Sequence, residues 1–458
     1  METVDWKSAL GVAYERALAY LDGLPDRPVA PAASLTELRA SLGVPLPDGP
    51  QPDHEVVAAL AAAAEPGVMA SGAGRFFGFV IGGATPAALA ADWLTAAWDQ
   101  NAGLYAIGPS AAVAEEVAAR WTVELLGLPA QTSAGFVTGA QMANFTALAA
   151  AVRDVLRRAG WDVDADGLWG APRVRVLAGA ERHGTIDRAL RFLGMGTGCV
   201  EAVASDGQGR MSVPALRAAL AGADRPTIVC AQAGNVNTGA FDPIGEISDA
   251  AHERGAWVHV DGAFGLWAAA SPRLRHLTAG LERADSWATD AHKWLNVPYD
   301  SGLVLCADPV AHRAAMGVRA TYLMHADGGE RDALDYGPEH SRRARGFAVY
   351  AALRALGRDG VAGLVDRNCA MARRFADRLA AGGAQILNDV VLNQVLVRFG
   401  DDDRTRAVLG RVQSGGTCWM SGTTWHDMAA IRISVSNWTT DGDDVDRSAD
   451  ALLAGATR

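Results

Sequence analysis

Apolar and polar positions change rhythm three times along this chain. Up to about residue 74, apolar residues recur at helical spacing in METVDWKSALGVAYERALAYL and in an alanine-rich run over 54–64. Two proline-rich stretches, PDRPVAPAAS (25–34) and PLPDGPQPD (45–53), break these helices. From about 75 to 345, short valine-rich runs alternate with amphipathic ones. RVRVLAG (173–179), TIVCAQAG (227–234), AWVHVDGA (256–263) and SGLVLCA (301–307) are short and valine-rich, as strands of a covered sheet are. Between them, IGEISDAAHERG (244–255) puts Ile244, Ile247 and Ala251 on one helical face. Strand and helix in alternation predict a mainly parallel sheet covered on both sides. After 346 the pattern becomes two long helices, strands in VVLNQVLVRF (390–399) and AAIRISVS (429–436), and a last helix from Asp441. The expected organisation is an N-terminal helical segment (1–74), a large α/β domain (75–345) and a smaller α+β domain (346–458).

Length and charge narrow the function without naming it. At 458 residues the chain has material for two or three packed units. A net charge of -11 with no Lys/Arg run argues against nucleic acid or an anionic membrane as partner. No apolar stretch reaches 18 residues without a charge, glycine or proline, and the N-terminus has no signal-peptide pattern. Five cysteines with no CxxC pair read as reduced thiols of a cytoplasmic protein. The ten histidines form neither HxH nor HxxxH, so no metal site is expected.

The chemistry concentrates in two segments, HVDGAFGLW (259–267) and WATDAHKWLNVPYDSG (287–302). Asp261 closes an apolar strand formed by Trp257, Val258 and Val260, and Lys293 follows about thirty residues later beside His292. This arrangement suits pyridoxal phosphate: a lysine forms a Schiff base with the aldehyde, and a carboxylate keeps the ring nitrogen protonated. A third segment, GFVTGAQMANFTALAAAVRD (135–154), reads as strand, tight turn and helix, whose free N–H groups suit a phosphate dianion. Thr138, Ala140 and Gln141 occupy that turn.

With these segments in view, the chain resembles the group II pyridoxal-phosphate-dependent amino acid decarboxylases, which act on aromatic amino acids, glutamate and cysteine sulfinate. The resemblance runs from Arg75 in RFFGFVIGG to IRISVSNW (431–438) and centres on DAHKW (290–294). It implies the fold type I architecture, a seven-stranded mainly parallel sheet, and a homodimer with the active site at the interface and residues 1–74 wrapped around the second subunit. It also implies that His183 stacks on the cofactor ring, that Ala263 is the small residue beneath it, and that His292 meets the phosphate. Asn235, in AGNVNTGAFDP (233–243), is an expected cofactor or substrate contact, with Asn237 beside it; loop capping is the other reading for both.

The loop TYLMHADGGERDALDYGPEHSRRAR (321–345) resembles the family's mobile loop, which supplies a catalytic tyrosine to the neighbouring subunit, and Tyr336 is its match. The expected reaction is decarboxylation of an L-amino acid to an amine and CO2. An oxidative aldehyde synthase and a non-catalytic scaffold remain as alternatives. Trp98, Phe77 and Phe79 are candidates for an aromatic pocket, and Arg75 for pairing a distal carboxylate. Asp290 stands where animal members carry asparagine and receives no assigned role.

Overall fold

The computed structural model describes residues 5–221, 225–318 and 330–457. Part of the expected mobile loop, residues 321–329, lies outside the described residues.

The large sheet has seven strands in the order Ser133–Val137, Gly302–Cys306, Ser286–Asp290, Trp257–Asp261, Thr227–Gln232, Arg175–Gly179 and Val200–Val203. Neighbours pair in parallel from Ser286–Asp290 through Val200–Val203. Gly302–Cys306 alone runs against both its neighbours. The strands are apolar on both faces because both are covered. Val176, Ala178, Ile228 and Cys230 pack with Leu148, Val152 and Leu156 of the helix Ala140–Arg158. Leu177, Val229, Val258 and Val260 point the other way, into a cluster with Ile244, Ile247 and Ala251 of the helix Ile244–His252. Each fully buried Val, Leu or Ile contributes about 1.5–3 kcal/mol, so this alternation fixes both the register and the helix placement. The expected mainly parallel seven-stranded sheet is what the chain forms.

A second, five-stranded sheet follows the order Phe76–Phe77, Trp419–Trp425, Met428–Ser434, Gln394–Arg398 and Gln385–Ile386. Phe76 and Phe77 reach it from far upstream, pairing in parallel with Trp419 and Met420. Phe77 is buried there beside Phe375, with ring centroids 5.0 Å apart. Helices Gly346–Ala381, Asp402–Gly415 and Gly442–Ala456 pack around it, the first interrupted at Gly357, whose φ is 63°. Asp441 caps the last helix by accepting from the Asp444 N–H.

Helices Trp6–Gly23, Leu35–Leu42 and Asp53–Ala64 precede both sheets and contain no buried residue. Arg75 ties this region down, donating to the carbonyls of Pro25 and Arg27 at 2.9 and 3.0 Å and to that of Thr417. Its guanidinium is spent on structure, which leaves it nothing for a substrate carboxylate. Among the described residues no helix is long and apolar enough to cross a membrane.

Candidate active site

Beyond the carboxyl ends of the parallel strands lies a cavity of about 390 Å³. Thr138, Ala140, Gln141 and His183 line it from one side, and Asp261, Ala263, His292 and Lys293 from the other. Sequence positions far apart thus converge on one space. A wider groove of about 730 Å³ holds none of these residues. It carries the ion pairs Arg283 with Asp249 at 2.8 Å and Arg210 with Asp206 at 3.2 Å but no lysine, so chemistry selects the smaller cavity.

Lys293 lies just beyond the strand Ser286–Asp290, after Ala291 and His292, and its Nζ lies 2.8 Å from Asp290 Oδ2. The other oxygen of Asp290 accepts from the Ala140 N–H at 2.6 Å, at the first turn of the helix Ala140–Arg158. Asp290 therefore joins the lysine to the helix terminus, a role the sequence did not assign. Trp267 supports this strand end, donating its indole N–H to the Asp290 carbonyl at 3.1 Å. His292 accepts from the Ser301 N–H on Nδ1 at 3.1 Å, which leaves Nε2 as the donor facing Asp290 Oδ1, 3.4 Å away. Burial lowers the His292 pKa, with Asp290 opposing and Lys293 reinforcing the shift.

Asp261 is buried at the end of its strand. Its Oδ2 accepts from Asn144 Nδ2 at 3.2 Å and from Thr185 Oγ1 at 3.3 Å, and its Oδ1 accepts from the Ala263 N–H at 3.3 Å. His183 caps the helix Gly184–Phe192, Nδ1 accepting from the Thr185 N–H at 3.3 Å. It is thus both a helix cap and part of the cavity wall. Desolvation by the surrounding protein lowers its pKa, and Asp261 opposes that shift.

The turn before the helix Ala140–Arg158 is sterically exacting. Gly139 offers no side-chain cap, and a Cβ on it would stand 3.0 Å from His292 Cε1. A Cβ on Gly302 would meet the Gly139 backbone at 2.5–2.9 Å. Two glycine backbones therefore press the turn against the strand Gly302–Cys306. A helix N-terminus without a side-chain cap, a lysine at the wall, a buried carboxylate opposite and a small residue at 263 are the features that pyridoxal phosphate needs, so the residues present fit that group.

Other expected positions fall elsewhere. Asn235 does not line the cavity: its Nδ2 donates to the Glu181 carbonyl and Gln232 Oε1, both at 3.1 Å, and its Oδ1 accepts from Asn237 N and Thr238 N. Its side-chain hydrogen bonds are taken up within its own loop and by Glu181, which favours the loop-capping reading. Asn237 is held by Thr423 Oγ1 at 3.0 Å. Of the aromatic candidates only Phe79 borders the cavity; Phe77 is core, and Trp98 packs edge-on to Phe347 at 5.1 Å. Tyr336 is not in this cavity. It packs against His312, ring centroids 5.2 Å apart, with the Arg331 guanidinium 4.1 Å above its ring.

Sequence reasoning missed Asn144, Thr185 and Arg432. Arg432 lines the cavity from the strand Met428–Ser434, its Nε has no hydrogen-bond partner, and burial alone lowers its pKa to about 10.

A family model described as the pyridoxal-dependent decarboxylase conserved domain matches residues 36–399. The chain belongs to the pyridoxal-dependent decarboxylase family. It is 33% identical over 384 residues to L-2,4-diaminobutyrate decarboxylase of Rhizobium meliloti, covering 80% of this chain and 74% of that one. It is 27% identical over 467 residues to tryptophan decarboxylase 1 of Oryza sativa, covering 94% and 90%. In fold it is similar to the Oryza sativa TDC crystal structure with PLP and tryptamine, with a TM-score of 0.92 at 23% identity, covering 99% of this chain and 98% of that chain. This family member is a pyridoxal-phosphate-dependent amino acid decarboxylase. Its relatives favour neither an aldehyde synthase nor a non-catalytic scaffold.

Proposed function

We propose that the protein is a cytoplasmic homodimer that converts an L-amino acid to its amine and CO2, with each active site completed by the partner subunit. The observation that carries this reading is the convergence of Lys293, Asp261, His183 and the Ala140–Arg158 helix terminus on one cavity. Pyridoxal phosphate, when bound, supplies an aldehyde for the substrate amine and an electron-withdrawing ring that accepts the electrons left as CO2 departs. Lys293 holds the aldehyde carbon, and Asp261 holds a proton on the ring nitrogen. His183 keeps one face of the ring in place above Ala263. Thr138 and the Gln141 N–H would hold the phosphate, with His292 beside them, the Ala140 N–H being held by Asp290.

Arg432 meets a carboxylate of the substrate. A half-buried guanidinium whose buried Nε–H has no partner, at the wall of a ligand cavity, suits an anion there. Tyr336 of one subunit delivers a proton to the substrate Cα in the other. Residues 1–74 form the dimerisation arm, which the exposure of Trp6, Leu10, Tyr14 and Leu60 supports. Five buried free cysteines support the reducing compartment.

The test is incubation of purified protein with the twenty standard amino acids, 2,4-diaminobutyrate and cysteine sulfinate, measuring CO2 and amine. One substrate class releasing both in equal amounts is expected. Release of aldehyde and ammonia in place of amine would overturn the reading.

A further inference from the structure

Behind Asp261 runs a chain of hydrogen bonds that the chemistry above does not use. Trp257, His259 and Asp261 alternate along one strand, so their side chains leave the same face of the sheet. Trp257 Nε1 donates to Ser286 Oγ at 2.9 Å, and Ser286 Oγ lies 3.0 Å from His259 Nδ1. His259 Nε2 lies 2.9 Å from Asn144 Oδ1, and Asn144 Nδ2 donates to Asp261 Oδ2 at 3.2 Å. All four supporting side chains are buried, from 0% to 3% exposed.

The donor pattern along this chain is set from its two ends, by an indole that only donates and a carboxylate that only accepts. An indole N–H donates and has no lone pair to accept with. The Ser286 hydroxyl accepts from it and has its own hydrogen left for His259 Nδ1. The ring then carries its hydrogen on Nε2 and donates it to Asn144 Oδ1. The Asp261 carboxylate takes the Asn144 NH2, which leaves Asn144 Oδ1 as the acceptor for His259 Nε2–H. Burial pushes the His259 pKa down to about 4, so the neutral ring that this pattern needs is the form present near neutral pH.

We propose that Trp257, Ser286, His259 and Asn144 are positioning residues that lock the Asn144 amide, and through it hold Asp261 ionised and correctly turned toward the ring nitrogen of the cofactor. The proposal rests on the assignment of Asp261 to that nitrogen. Without the His259 donor the Asn144 amide is held only by its contacts with Thr185 Oγ1 and Asp261 Oδ2, and in the reversed orientation its oxygen would face the Asp261 carboxylate. Two acceptors in contact would favour a protonated or rotated Asp261, and the ring nitrogen would lose its proton more readily.

The experiment loads the holoenzyme with pyridoxal phosphate 15N-labelled at the ring and reads protonation from the solid-state 15N shift. Cofactor affinity is measured by equilibrium dialysis. His259→Leu should move the 15N resonance toward the deprotonated position and weaken cofactor binding roughly tenfold, the scale of one lost hydrogen bond to a charged group. His259→Gln, whose amide can donate to Asn144 Oδ1, should restore both. Ser286→Ala should shift the resonance in the same direction by less. Asn144→Leu removes the same donor from another element and answers the question if His259→Leu does not fold. A resonance unmoved in His259→Leu or Asn144→Leu, with Asp261→Ala shifting it, overturns the positioning role. A resonance unmoved in Asp261→Ala itself removes the underlying assignment instead.

Discussion

At the carboxyl ends of the parallel strands Asp261 has three hydrogen-bond donors, Lys293 a carboxylate, and His292 a partner on each ring nitrogen. Along the N-terminal helices no residue is buried, and Trp6 is 71% exposed. The first region is finished within one chain. The second leaves large apolar side chains such as Trp6, Leu10 and Leu60 exposed among the described residues. Tyr336, outside the cavity in its own chain, belongs with the second region. On the proposed reading, the contrast separates cofactor chemistry, for which residues of one chain converge, from proton delivery and assembly, which would draw on a second copy.

Substitutions can test how clean that division is. The largest effect is expected from Lys293→Ala: activity falls to background and borohydride no longer reduces the cofactor onto the protein. Covalent capture at another lysine in that variant would break the assignment of the first region. Next, Tyr336→Phe should slow amine release by about 10²- to 10⁴-fold, the usual contribution of a positioned acid, while pyridoxal phosphate stays bound. Mixing the Lys293→Ala and Tyr336→Phe proteins under subunit exchange should then recover activity in about a quarter of the sites, since one site of each hybrid dimer has both groups. No recovery would mean that Tyr336 serves its own chain.

Asp261→Ala should cost roughly 10- to 1,000-fold in turnover, because an opposite charge at this range shifts a pKa by about 1–3 units. The thermal midpoint should fall far less, since the strand stays packed; near-normal turnover would rule out the proposed role. The smallest effect is expected in the arm. Replacing Trp6 and Leu10 by serine should raise the dimer dissociation constant at least about tenfold, each buried side chain being worth about 1.5–3 kcal/mol, and make activity depend on protein concentration. An unchanged sedimentation profile would show that the arm's apolar side meets something other than a second copy.

The fold was legible where periodicity is strong. Continuous apolar strands and the Ile244, Ile247, Ala251 face carry their own geometry, and both are buried as expected. The strand Phe76–Phe77 was not legible, because two residues have no period and their pairing with Trp419 and Met420 is decided across the whole chain. The site divides in the same way. Asp261, Lys293 and the Thr138–Gln141 turn sit where a strand ends or a helix begins, which sequence marks. Asn144 lies one turn inside a helix, and Arg432 sits in a strand flanked by Ile431 and Ile433; their meaning appears only when distant elements meet. Asn235 shows the opposite failure, since a loop asparagine reads equally as ligand contact and turn closure.

The contact of Gly139 with Gly302 has a consequence for reading variants of this gene. A glycine codon becomes an alanine codon by one base change, and alanine is ordinarily the mildest replacement. At position 302 it would place a methyl carbon against the Gly139 backbone, where neither flexible side chain nor solvent can give way. An inherited or engineered G302A should therefore be scored with losses of Lys293 rather than with conservative changes, although residue 302 does not itself line the cofactor cavity.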